Sequence, residues 1–164
     1  MDSKRPDAQA AHEFTLTAML PALAGTNLIY GLGMLDSGMT FDYAQALLQS
    51  EMLDKVLRSI QGMPISDELF AYDVIRDVGP GGEFITHEHT FAHMREQSQV
   101  KLFDRRSRET WEASGSQDVV EKAYAAAREI IATHAVEPLP ESVQSELDAI
   151  YTDAETRQAR NRED

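Results

Sequence analysis

The chain contains no cysteine. That excludes a disulfide framework, a thiolate metal site and a thiol nucleophile, and it fits a reducing, cytoplasmic setting. Basic residues are scarce: 15 Lys and Arg stand against 28 Asp and Glu, a formal charge of −13. So acidic a chain lacks the basic face that phosphate backbones require, and no nucleic-acid partner is expected. Long apolar runs are missing as well. The longest, Leu16 to Ala24, is broken by Thr17 and Pro21, and it falls short of the roughly 20 residues that span a bilayer. The N-terminus, MDSKRPDAQ, has no apolar stretch behind its charges and does not form a signal peptide. No membrane partner is expected. No nucleophile-elbow pattern and no glycine-rich loop ahead of a lysine occurs either.

What is present is a chain of 164 residues with 42% hydrophobic content, enough for one domain with a core. Its organising stretch is Gly25 to Gly38, GTNLIYGLGMLDSG. The β-prone run Asn27–Tyr30 is expected to be a buried strand. It leads into Gly31-x-Gly33 and the polar turn Asp36-Ser37-Gly38, with a helical pattern on each side. A strand that ends in such a loop before a helix is how a parallel α/β sheet presents side chains to a ligand. Tyr30, Asp36 and Ser37 are therefore candidate pocket residues. Asp-Ser-Gly is equally ordinary turn chemistry.

The spacing of apolar residues predicts a helix from Pro6 to Ala24, with Pro6 in its first turn, Pro21 loosening the last and Gly25 as the stop. Thr40 is expected to cap a second helix ending at Gly62, apolar around more than half its circumference and so packed on two sides. Glu51, mid-helix beside apolar neighbours, is either a residue projecting into a site or, as expected, the ion-pair partner of Lys55 on the remaining face. A helix from Ser66 to Val78, with Leu69, Phe70, Val74 and Ile75 inward, precedes the break at Pro80-Gly81-Gly82. Glu83–Thr86 is the second candidate strand. Another short helix begins at His89 or Thr90. Leu102, Phe103 and Trp111 anchor a mixed segment, and Ser116 caps a long helix to His134. After Pro138-Leu139-Pro140 comes a last helix, then a charged tail over 156–164 expected to be disordered. Met34, Met39, Met52 and Met63 are expected to fill core. Two strands cannot make a stable sheet alone, so the pattern fits a piece of something larger.

His87-x-His89-x-x-x-His93 puts His89 and His93 one helical turn apart, a spacing that can hold a transition metal. Gly81 to His89 also looks like the opening of the cupin metal motif, but His93 or Met94 stands where its acidic ligand belongs. The alternative is that His87 and His89 only cap or orient the helix. The cluster Arg105-Arg106-Ser107-Arg108 is either a dock for an acidic partner or a solvated face.

Several dispersed runs carry a family resemblance. They are Asp2-Ser3-Lys4-x-Pro6-Asp7-Ala8-Gln9-Ala10, Leu20 to Gly31, Gly33-Met34-Leu35-Asp36-Ser37-Gly38, Val78 to Phe84 with His89-Thr90, and Lys101 to Arg106 with Trp111-Glu112. In this order they resemble the trimethylamine:corrinoid methyltransferase family, up to about Ala154. The resemblance implies an α/β fold in which residues 1–155 are the C-terminal segment of a TIM (β/α)8 barrel, predominantly helical with two or so short parallel strands. The end of the Asn27–Tyr30 strand would then lie at the barrel mouth. It implies methyl transfer from a methylated amine, trimethylamine or glycine betaine, to the Co(I) of a corrinoid presented by a separate protein, with no cofactor bound directly and no Rossmann site. Tyr30, Asp36 and Ser37 would line the substrate site, with His87 and His89 near its rim; aromatic faces and carboxylates suit such a cation. The family's trimethylamine enzymes carry pyrrolysine, encoded by an in-frame amber codon, whereas the glycine betaine enzymes lack it. No such residue occurs in these 164 positions, so a truncation or mis-called stop codon ahead of Met1 is expected. The upstream portion of the barrel would then be a partner, a homo-oligomer is expected, and the isolated chain should be inactive. The competing readings are a non-catalytic helical interaction module and a His-rich metal-binding protein.

Overall fold

The computed structural model describes residues 1–97 and 99–163, without the side chains of 161–163. It is mostly helical. Helix α1, Ala8–Leu23, starts at Asp7, whose Oδ1 accepts the Ala10 amide at 2.9 Å. Asp7 rather than Pro6 therefore opens it. Pro21 sits within the helix, and Gly25 at φ +80° ends it as expected.

The two candidate strands are corrected. Asn27–Tyr30 forms no strand, and neither does Glu83–Thr86. The only sheet among the described residues lies later, where β1 (Met34–Leu35) pairs with β2 (Thr40–Phe41). It is antiparallel, not parallel. The reason is local: the turn Asp36–Gly38 reverses the chain within three residues, and a tight reversal can join only antiparallel neighbours. Thr40 is thus a strand residue. Helix α2, Tyr43–Ile60, is capped instead by Asp42, which accepts the Gln45 amide at 2.7 Å.

Two apolar clusters flank α2, as its broad apolar surface predicts. On one side Phe14, Ala18 and Ala22 of α1 bury Val56, with Ile29, Leu32 and Met52 against them. On the other, Ala44 and Leu48 meet Ala123 of α7 (Val119–Thr133), with Leu102, Phe103 and Tyr124 alongside. The Tyr124 hydroxyl donates to Asp42 Oδ2 at 2.6 Å, tying α7 to the start of α2. That hydrogen bond, with burial, raises the phenol's pKa.

Other expectations change. Glu51 does not pair with Lys55. It is buried, and its carboxylate accepts the amides of Lys101, Leu102 and Phe103 at 3.1, 2.8 and 3.2 Å. Lys55 instead lies over the Phe103 ring, 3.6 Å from its centroid. The helix over 66–78 is split at Ala71 (φ +50°) into α3 (Asp67–Phe70) and α4 (Tyr72–Val78). Ser66 caps α3, but Leu69, Phe70 and Ile75 are exposed rather than inward. Helix α5, Glu88–His93, begins one residue before His89, the earlier of the two expected starts. Helix α6 spans Arg108–Ala113. Ser116 has φ +52°, so α7 starts at Val119, where Asp118 accepts the Val120 amide. Met34, Met39 and Met63 are exposed; of the four methionines, Met52 packs in the core.

Residues 1–131 form one compact unit and residues 132–164 a second. In the second, α8 (Glu141–Glu163) carries the chain through the charged stretch, and none of its described side chains is buried. Position 164 lies outside the described residues. No described helix is long and apolar enough to cross a membrane.

Candidate functional site

The glycine loop is held from two directions. From α2, the buried Gln49 side chain accepts the Gly33 amide at 2.6 Å. From the N-terminus, Met1 and Ser3 carbonyls accept the Ser37 and Asp36 amides at 2.7 and 2.8 Å. The Ser37 hydroxyl donates to Asp2 Oδ1 at 2.9 Å, and Lys4 Nζ lies 3.1 Å from Asp36 Oδ1. Asp36 and Ser37 both adopt left-handed backbone, φ +49° and +56°. Such angles are costly for residues with a Cβ, and here five contacts from residues 1–4 and α2 hold the loop in place. None of those partners was legible from local spacing, because 33 or more positions separate most of them from the loop.

Tyr30 and Ser37 come together on a cleft of about 510 Å³, floored by Phe14, Ala18 and Ile29. Tyr30 is 79% exposed. Asp36 does not line this cleft; its carboxylate turns to Lys4. The cleft thus offers an aromatic face, a hydroxyl and an apolar floor, with a carboxylate on the adjoining residue. Those groups can hold a small organic cation by cation–π and charge contact.

His87 and His89 do not join them. His87 Nδ1 accepts the His89 amide at 3.1 Å, the capping role weighed from the sequence. His89 Nε2 lies 3.2 Å from the Glu68 carbonyl oxygen and lines a separate hollow with Tyr72 and Asp73. The His89 and His93 rings sit 4.3 Å apart, and His93 Nδ1 pairs with Glu96 at 2.8 Å. Among the described residues no three His, Asp or Glu side chains are gathered to hold a metal ion.

The arginine cluster is largely neutralised. The Arg106 guanidinium and Lys122 both engage Asp104, and Arg108 donates to Glu112 at 2.8 Å. The Arg106 hydrogen bonds, above all, hold the Asp104 carboxyl far below the usual carboxylate range.

Residues 1–159 match the family described as trimethylamine methyltransferase (MTTB). The chain is 52% identical over 155 residues to trimethylamine methyltransferase MttB of Desulfitobacterium hafniense (strain DSM 10664 / DCB-2), covering 94% of this chain and 31% of that protein. It is 39% identical over 154 residues to trimethylamine methyltransferase MttB2 of Methanosarcina mazei, covering 94% and 31%. A glycine betaine methyltransferase of D. hafniense (strain Y51) is 33% identical over 150 residues, covering 90% and 30%. The chain spans under a third of the length of these curated relatives.

Proposed function

The chain belongs to the trimethylamine methyltransferase family, and from that premise we propose that it supplies the C-terminal third of a cytoplasmic enzyme. That enzyme moves a methyl group from a methylated amine, trimethylamine or glycine betaine, to a corrinoid protein. The observation that carries this reading is the family match over 1–159, together with an alignment of 155 residues that covers 31% of a relative about three times as long. The proposed whole is a TIM barrel. Its completion by an upstream portion would account for a chain whose described residues form several helices and only two two-residue strands.

The corrinoid, presented by its own protein, supplies the Co(I) acceptor. What this chain contributes is positioning. Tyr30 offers a ring face to the ammonium, Ser37 a hydroxyl, and Asp36 a countercharge once released from Lys4. His87 and His89 are proposed at the outer rim of the completed site. Methyl transfer is an in-line displacement, so holding donor nitrogen, methyl carbon and cobalt in line is the main task of the protein. Pairing of two such completed enzymes in a homo-oligomer belongs to the same proposal.

The test is complementation. The chain is purified alone and together with a co-expressed upstream portion taken from the D. hafniense MttB relative. Each is assayed for amine-dependent methylation of a Co(I) corrinoid protein. The complex is expected to methylate and the lone chain is not. Methylation by the lone chain, or an inactive complex with every amine tried, overturns the reading.

A further inference from the structure

We propose that the pocket where the first turns of α1, α2 and α7 converge binds a neutral organic molecule by its carbonyl oxygen, with the Gln45 side-chain amide as donor. This pocket shares no lining residue with the cleft at Tyr30.

The first observation is an orphaned donor. Gln45 is 1% exposed, and its Nε2 is the one buried side-chain nitrogen or oxygen among the described residues without a hydrogen-bond partner. Folded proteins keep such groups rare, because a buried donor left unpaired forfeits its bonds to water. The neighbouring carboxylates are already committed. Asp42 takes the Gln45 backbone amide at 2.7 Å and the Tyr124 hydroxyl at 2.6 Å. Asp7 takes the Ala10 amide at 2.9 Å and Asp118 the Val120 amide at 2.7 Å. A side-chain NH2 can only donate, so its missing partner is an acceptor.

The second is the space beside it. Gln45 lines a pocket of about 630 Å³, within the roughly 300–1,000 Å³ usual for small-molecule sites. Leu48 and Met52 lie on the same face of α2 as Gln45, and Val119 and Phe103 close the apolar wall. Phe103 is held in place, since Glu51 accepts its amide at 3.2 Å and Lys55 lies over its ring. The wall is therefore formed before any ligand arrives. Apolar walls that fit a ligand's body, with a fixed polar group that orients it, are the usual make-up of such a site.

Charge narrows the ligand class. Asp7 and Asp118 line the pocket of a chain with a net charge of −13, and they oppose an anion. Arg5 also lines it, and with the positive ends of α1 and α7 it opposes a cation. A neutral amide or ester with a short apolar chain meets neither penalty and supplies the acceptor that Gln45 lacks.

The probe is N-butylacetamide, titrated into the isotope-labelled chain and followed by nuclear magnetic resonance. The Gln45 side-chain NH2 signals are expected to shift saturably, half-complete at about 1–10 mM. Overhauser contacts should join the butyl chain to Leu48 and Val119. Gln45→Met keeps the length and apolar bulk but has no donor; read on the Val119 and Val120 amides, it should weaken binding about fivefold. Hexanoate, similar in length but charged, should bind at least about tenfold more weakly. In the complex with the co-expressed upstream portion the amide should bind as it does to the lone chain. Absence of a saturable shift up to about 100 mM, or Overhauser contacts to other residues instead, overturns the proposal. Those contacts are read on the parent chain, so they decide even where Gln45→Met fails to fold. Equal binding by Gln45→Met, or hexanoate binding as tightly as the amide, overturns it as well. Binding that disappears in the complex assigns the pocket to the upstream portion and overturns it too.

Discussion

Glu51 Oε2 accepts the Leu102 amide at 2.8 Å across 51 positions of sequence. The same carboxylate takes the amides on either side, so one buried side chain fixes the path of a loop that has no secondary structure of its own. Removing it strands three amides. Glu51→Ala is expected to cost about 2–4 kcal/mol in urea denaturation, and Glu51→Gln, which keeps one acceptor, roughly half that. Equal losses would show that shape rather than hydrogen bonding holds the loop.

Gly33 and Gly25 share nearly the same backbone, φ +83° and +80°, in different surroundings. A Cβ on Gly33 would come within 2.7 Å of the Phe41 ring and 3.0 Å of Ala46 and the Asp42 carbonyl; on Gly25 it meets nothing within 4 Å. Gly25→Ala should therefore cost only the left-handed penalty, about 1–2 kcal/mol. Gly33→Ala adds overpacking and should cost about 2–4 kcal/mol. Thermal melts of the pair give the comparison.

Asp104 sets an acid dependence. Its carboxyl pKa is lowered by the Arg106 hydrogen bonds first and by Lys122 after them. A group whose folded pKa lies below its unfolded one, about 3.9, contributes stability in full above that value and loses it as pH falls through the folded one. Asp104→Asn should thus lower stability at neutral pH and flatten the decline below about pH 4. Parallel curves for variant and parent, measured from pH 7 to 2, would refute the assignment.

In the complemented enzyme, Tyr30→Leu removes the aromatic face and keeps apolar bulk. It is expected to lower kcat/KM for the amine about tenfold, the scale of one cation–π contact. Lys4→Ala, which frees Asp36 from its partner 3.1 Å away, should leave kcat/KM unchanged or raise it. A loss as large as that of Asp36→Asn would mean that the ion pair, not the free carboxylate, matters.

Much of the helical frame was legible in the sequence. Helix α2 announces itself by an apolar surface too wide for one neighbour, and it does pack against Phe14 on one side and Ala123 on the other. Caps were legible only where the polar residue had no rival: Ser66 holds, whereas Asp42 displaces Thr40 two positions away. The strand at Asn27–Tyr30 was misjudged for a physical reason. Propensity marks residues able to pair, but pairing needs a second strand, which the described residues do not provide. Glu51 was misjudged because Lys55, one turn along, is visible locally, whereas the amides of 101–103 are brought to it only by tertiary folding. The same holds for Asp36 and Ser37, whose contacts with residues 1–4 leave no periodic trace.

Helix α8 holds together through contacts within one or two turns of itself, such as Gln144 with Asp148 and Arg157 with Asp153. With none of its described side chains buried, its order is a matter of propensity. On heating, it should surrender ellipticity gradually, as a sloping decline well before the sharp transition of the remaining helices. The slope should vanish when the chain is cut back to residue 131.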